Sequence, residues 1–216
     1  MKNNIWNYIK SVRPIGCLYA ALLLICSSYN KNLSPSEISS AAAMVFLICA
    51  ATMAQNDYDD RFHDAEGKGK IFAFTHEKSF KKFTILLWFL SIISVILAYI
   101  VTDNLSVVCW GIFATVFGVL YQRFRKIPFA SNAIVSLMLS TVVVILAPQK
   151  WFFAILIFII SLFREIVKDL EDANIDKGYK WSVWQIIEYR PRIKAIHLKY
   201  IADIILVATL ASILLI

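Results

Sequence analysis

Apolar residues run almost unbroken through seven stretches of the chain, at about 15–28, 38–55, 83–101, 105–121, 128–147, 151–163 and 201–216, with polar punctuation between them. None alternates with period two, and an open sheet cannot satisfy its backbone groups in hydrocarbon, so each stretch is expected to be helical. A bilayer core takes about 20 helical residues, so the first, sixth and seventh stretches need flanking residues to complete a crossing. The pattern predicts an all-α fold: a polytopic transmembrane helical bundle of about seven spans, forming a single domain over residues 1–216.

Composition agrees with that reading. Hydrophobic residues make up 59% of the chain, charged residues 17%, and the mean hydropathy is +0.67, against an apolar share of roughly 45–50% in soluble domains. The net charge of +7 does not point to nucleic acid, because the basic residues punctuate the apolar runs and form no tail or recognition helix. All but two of the 22 Lys and Arg residues fall in the N-terminus and the even-numbered loops; only Lys31 and Lys150 lie on the other side. That asymmetry is expected to place the N-terminus and those loops in the cytoplasm. Cys17, Cys26, Cys49 and Cys109 sit inside apolar runs without CxxC or Cys/His spacing, which supports neither zinc nor a disulfide framework. No cleavable signal peptide is evident after Arg13-Pro14.

The carboxylates change the picture. Seven of the 15 Asp and Glu residues are aspartates in two short segments, Asn56-Asp57-Tyr58-Asp59-Asp60-Arg61-Phe62-His63-Asp64 and Asp169-Leu170-Glu171-Asp172-Ala173-Asn174-Ile175-Asp176. Each segment emerges from an apolar run. Four crossings separate them, so both are expected on the cytoplasmic side. Continued as helix, the first segment puts Asn56, Asp60 and Asp64 on one face with Asp57 beside them, and Asp59 turned away. In the second, Glu165, Asp169, Asp172 and Asp176 make one stripe. A single Asp-rich stretch at a helix end is commonly an interfacial anchor. Two on one side of a membrane are harder to explain that way, since crowded carboxylates repel where water is thin unless cations neutralise them.

Hard oxygen donors in this number suit Mg²⁺, which takes few protein carboxylates and fills its shell with water and phosphate oxygens. A diphosphate held against such a site is stabilised as a leaving group. Lys68, Lys70, Arg123, Arg125, Lys126 and Lys180 are candidates to meet the remaining phosphate charge. Tyr58, Phe62, Tyr121 and Phe163 lie near enough in sequence to face a carbocation, although core or interfacial packing explains any one of them as well. His63 fits either proton removal or a position off the acidic stripe.

At these residues the chain resembles the UbiA superfamily of intramembrane prenyltransferases. Asn56-Asp57-x-x-Asp60-x-x-x-Asp64 matches that family's N-D-x-x-D-x-x-x-D motif. The segment Arg164-Glu165-Ile166-Val167-Lys168-Asp169-Leu170-Glu171-Asp172, followed by Asp176, looks most like the branch containing digeranylgeranylglyceryl phosphate synthase. Tyr121-Gln122-Arg123-Phe124-Arg125 is similar to the family's Y-x-x-x-K element, with Arg125 or Lys126 as the cation. Arg13-Pro14 fits the family's opening.

The resemblance covers about residues 13–176. It implies that both motifs bind Mg²⁺ and an isoprenyl diphosphate, geranylgeranyl diphosphate in this branch, and that ionisation gives an allylic cation which an acceptor attacks. The metal and diphosphate candidates are then Asn56, Asp57, Asp60, Asp64, Asp169, Asp172 and Asp176, with Tyr121, Arg125 and Lys126 on the phosphates by resemblance and Lys68 and Lys70 by their nearness to the first motif. In the named branch the acceptor is the hydroxyl of a prenylated glycerol phosphate. An aromatic acceptor of the quinone or haem type, and a non-catalytic membrane relative or transporter, are the alternatives. Family members usually have nine helices, so a chain ending in the apolar Ala211-Ser212-Ile213-Leu214-Leu215-Ile216 reads as C-terminally shortened, which makes homo-oligomerisation worth testing. Ala65-Glu66-Gly67-Lys68-Gly69-Lys70 departs from the family's N-K-P-x-R-P pattern, and Trp181-Ser182-Val183-Trp184 stands where the branch has Lys-Thr-Leu-Pro.

Overall fold

In a computed structural model, residues 2–29, 31–67, 69–124, 127 and 129–172, with five positions between 201 and 209, are described. No strand occurs among them. The chain forms two compact units, Met1–Val119 and Leu120–Ile216.

The first unit is organised around α3 (Pro35–Asp59), which packs against α2 (Pro14–Ser28) on one side and α6 (Glu77–Thr102) on the other. Ser34 starts α3 with a reciprocal cap: its hydroxyl accepts from the Glu37 N–H while Glu37 Oε2 accepts from the Ser34 N–H at 2.7 Å. Pro35 at the first helical position reinforces the start. Along α3, Ala41, Ala42, Ala50, Ala51 and Ala54 are buried, and small side chains let neighbouring backbones approach closely where lipid offers no hydrophobic drive for association. Ser91 of α6 uses that proximity, donating to the backbone carbonyl of Leu47 at 3.0 Å.

Helices α3 and α6, at 25 and 26 residues, are each long and apolar enough to cross a membrane. Helix α1 (Lys2–Val12) and α2 together make a third crossing if the pair, bent by 42° at Arg13, is one span. The outward face of α6 is apolar, with Ile85, Phe89, Ile96 and Ile100 all exposed, as a lipid-facing surface should be. Helix α7 (Leu105–Phe124) is apolar and brings Gly111 against Val95 and Gly118 against Thr52 and Trp88. Between α3 and α6 the chain makes two short helices, α4 (Arg61–Gly67) and α5 (Phe72–Thr75).

In the second unit α8 (Ala130–Thr141) packs against α9 (Trp151–Asp172). Here the expected span at 128–147 is corrected: the α-helix stops at Thr141 and passes into a 3₁₀ turn at Val142–Val144. A 12-residue helix is about 18 Å long. The run Thr141-Val142-Val143-Val144-Ile145 is entirely β-branched, which weakens helix propensity, and a tight 3₁₀ turn is a common way for a helix to end. The seventh apolar run falls largely outside the described residues, as does the whole of 173–200.

Helix α1 was not foreseen. It lies before the first apolar run and carries exposed Ile5, Trp6 and Ile9 on one side. Its Tyr8 sits in an aromatic cluster with Phe72, Phe80 and Phe83, ring centroids 4.8 to 5.9 Å away. That cluster joins α1, α5 and α6.

Candidate active site

The first acidic motif spans the junction of α3 and α4. Helix α3 ends at Asp59, and Asp60 caps it with φ −86° and ψ −1°. Backbone hydrogen bonds nevertheless run through the junction, Asp60 N–H to Asn56 and Asp64 N–H to Asp60, at 3.0 and 2.8 Å. The near-helical path keeps residues seven apart on one side. Asp57 and Asp64 therefore both line a cavity of about 470 Å³. Asp60, 3% exposed, is buried at the junction and does not line that cavity, so the lining face is the Asp57/Asp64 edge where the helical count put Asn56, Asp60 and Asp64 on the leading face. Asn56 is half-buried.

Among the described residues the cavity is lined by the cations Lys10 from the last turn of α1, Arg13 between α1 and α2, and Lys70. Arg13 Nη2 donates to Asp57 Oδ1 at 2.9 Å. Lys70 Nζ lies 3.2 Å from Asp64 Oδ2, and the Lys70 backbone N–H donates to the Asp64 carbonyl at 3.0 Å. The chain can double back this way because Gly69 takes a φ of +66°, which costs a glycine nothing and other residues strain. Arg13 is itself left-handed, φ 51° and ψ 60°. Pro14 disfavours the right-handed helical conformation for the residue before it, and the break at Arg13 lets the guanidinium reach Asp57 of α3. A non-glycine residue in this region is held there at a cost of about 1–3 kcal/mol.

The rest of the motif is braced. Asp59 does not line the cavity and accepts from Gln55 Nε2 at 2.8 Å. Arg61 lies over the rings of Tyr58 and Phe62 at 4.3 and 4.4 Å and pairs with Glu77 at 2.8 Å. Those two aromatic rings thus serve Arg61, while the rings that line the cavity are Phe72 and Phe80. Phe163 is exposed. His63 is half-buried.

In the second unit, Asp169 is 8% exposed and its Oδ2 accepts from Asn132 Nδ2 at 3.0 Å. Glu165, one turn earlier on the same helix, pairs with Arg164 at 2.9 Å and Lys168 at 3.5 Å. Tyr121 is half-buried on α7. Lys68, Arg125, Lys126 and Asp176, and the side chain of Asp172, lie outside the described residues. Lys10 and Asn132 were not among the sequence candidates. Lys10 is recognisable only once α1 is known to be a helix folded over the motif, and Asn132 carries no signal short of tertiary structure.

The family resemblance brings a divalent cation into question, and the donor chemistry fits one. The cavity pairs carboxylates with cationic and small polar groups, and among its described lining residues there is no thiol or imidazole. Among the described residues, no three His, Cys, Asp or Glu side chains converge as a ready metal centre. Two carboxylates with water and phosphate oxygens are within what Mg²⁺ accepts.

Comparison with known proteins agrees with the geometry. A solved structure of digeranylgeranylglyceryl phosphate synthase in membranes matches with a TM-score of 0.59 and 21% identity, over 96% of this chain and 76% of that one. At that identity the likeness is one of fold. No curated protein sequence gives a significant match. The profile of the UbiA prenyltransferase family matches residues 17–215, taking in both acidic segments. The chain therefore belongs to the UbiA prenyltransferase family and is an integral membrane transferase of isoprenyl groups.

Proposed function

We propose that this protein moves an isoprenyl group, geranylgeranyl by preference, from its diphosphate to the hydroxyl of a prenylated glycerol phosphate, in a Mg²⁺-dependent reaction at the cytoplasmic face. The polypeptide acts as one domain over 1–216 with about seven spans, its N-terminus on the same face. The observation that supports this most directly is the cavity where Asp57 and Asp64 meet Lys10, Arg13 and Lys70. Alternating carboxylates and cations suit a polyanion that arrives with its own counter-cation.

Asn56, Asp57, Asp60 and Asp64 would hold Mg²⁺ from the first motif, and Asp169, Asp172 and Asp176 from the second. When bound, Mg²⁺ supplies Lewis-acid neutralisation of the charge on the diphosphate. Arg13 and Lys70 exchange a carboxylate for phosphate oxygens as substrate enters, with Lys68, Tyr121, Arg125 and Lys126 adding donors. Charge-assisted contacts of this kind strengthen as the prenyl C–O bond breaks and the diphosphate takes up the electron pair. Phe72 and Phe80 keep water from the cavity wall. The acceptor oxygen forms the new C–O bond and its proton passes to the released diphosphate.

The test is purified protein in lipid nanodiscs with Mg²⁺, radiolabelled geranylgeranyl diphosphate and either geranylgeranylglyceryl phosphate or a hydroxybenzoate. Label is expected in the glycerol ether and absent with Asp60→Ala or Asp172→Ala. Label in the hydroxybenzoate alone would overturn the acceptor. Binding of diphosphate with transfer to neither would overturn the catalytic reading.

A further inference from the structure

Helices α8 and α9 bury a polar chain at their contact. Ser131, Asn132 and Asp169 are 2%, 4% and 8% exposed. The Ser131 hydroxyl donates to Asn132 Oδ1 at 3.0 Å, and Asn132 Nδ2 donates to Asp169 Oδ2 at 3.0 Å. The polarity of this chain is fixed by chemistry. An amide oxygen only accepts, so it takes the Ser131 proton and turns the amide nitrogen toward the carboxylate. Reversing the amide would set oxygen against oxygen at the aspartate.

Such an arrangement is a poor way to join two helices. A buried carboxylate loses several kcal/mol of hydration, and well-packed apolar residues in its place are often neutral or stabilising by about 1–4 kcal/mol. An ionisable group kept inside a membrane protein, with a donor dedicated to it, points to a role for its charge. Ser136 and Ser140 are also buried on α8, one and two turns beyond Asn132, and their small size brings the helix close enough for the short amide to reach across. We infer that Asn132 is a positioning residue: through its hydrogen bond it fixes the rotamer of Asp169, so that the second motif meets its divalent cation already oriented, with Ser131 locking the amide. This rests on the proposed function, which gives Asp169 its ligand.

The test measures metal uptake directly. Mn²⁺ binding is followed by electron paramagnetic resonance in detergent-solubilised protein saturated with geranylgeranyl thiolodiphosphate. Asn132→Leu, similar in volume but without the donor, is expected to weaken Mn²⁺ binding by about tenfold or more, as loss of a ligand's outer partner does. Ser131→Ala is expected to shift it the same way by less. Mn²⁺ affinity unchanged in both variants would overturn the inference, as would a lowered melting temperature with unchanged affinity, the mark of a packing role alone. Should Asn132→Leu fail to fold, Ser131→Ala decides the matter by the same measurement. If the unaltered protein takes up no Mn²⁺ beyond an Asp60→Asn control, the proposed function falls and this inference with it. If the unaltered protein does and the variants match it, only this inference falls.

Discussion

Arg13 and Asp57, 44 positions apart in sequence, form a 2.9 Å ion pair that ties the break between α1 and α2 to the end of α3. The Asp57 side chain is 16% exposed and that of Arg13 36%, so the pair lies between a surface bridge, worth about 0–1 kcal/mol, and a buried one whose rupture costs about 3–5. Arg13→Gln should destabilise the folded protein by about 2 kcal/mol, because a poorly hydrated carboxylate is left behind. In the double variant with Asp57→Asn the loss should be smaller than the sum of the single losses. Chemical unfolding of the four proteins in one detergent measures the coupling; strict additivity would remove the pair from the account.

The left-handed backbone at Arg13 makes a separate prediction. Arg13→Gly and Arg13→Ala both delete the guanidinium, but glycine occupies φ near +51° without steric cost. The glycine variant should be more stable than the alanine variant by about 1 kcal/mol, read as the difference in unfolding midpoints. Equal stabilities would mean that the conformation is not retained.

Lys70 is more exposed than Asp64, 52% against 7%, and its removal leaves a poorly hydrated carboxylate, so Lys70→Gln should lower stability as Arg13→Gln does. A separate effect belongs in substrate binding. Lys70→Gln should lower kcat/KM for prenyl diphosphate about tenfold, with kcat falling as well as KM rising because the contact tightens in the transition state, in line with about 1.5 kcal/mol for one charge-assisted contact. An unchanged kcat/KM would detach Lys70 from the phosphates.

Gly118 sits where α7 meets α3 and α6. A Cβ there would come 2.7 Å from Thr52 Oγ1 and 3.0 Å from Trp88. Gly118→Val should therefore force α7 outward and cost about 1–3 kcal/mol, visible as a lower melting temperature in a fixed detergent. No shift would show that α7 does not pack so closely.

The cap at Ser34 is a local feature with a local prediction. Ser34→Ala removes the acceptor for the Glu37 N–H and should lower stability by about 1 kcal/mol. Hydrogen exchange should speed up at the first turn of α3 and leave the amides near Asp57 unaffected. Faster exchange at both ends would refute the local character of the cap.

Much of this protein was legible in its residues. Uninterrupted apolar runs have one backbone solution in hydrocarbon, so the helices α2, α3, α6, α7 and α9 appear close to where hydropathy places them. The family is written in Asn56, Asp57, Asp60 and Asp64, because the spacing of side chains along one stretch of helix is a local property. Helix α1 was missed because it is amphipathic and too polar for a hydropathy reading. The early end of α8 was missed because β-branched residues count as apolar whether or not they sustain a helix.

What the sequence by itself determined is the helical membrane class and the identity of the acidic segments, since both follow from the hydration of groups near one another in the chain. Tertiary structure alone decided that Asp57 and Asp64 line the cavity while Asp60 is buried, that Arg13 and Lys70 neutralise them, and that Asn132 holds Asp169. Those outcomes depend on the turn at Asp60, the break before Pro14 and the contact of α8 with α9. The last two bring together residues distant in sequence, and no spacing rule reaches across a loop.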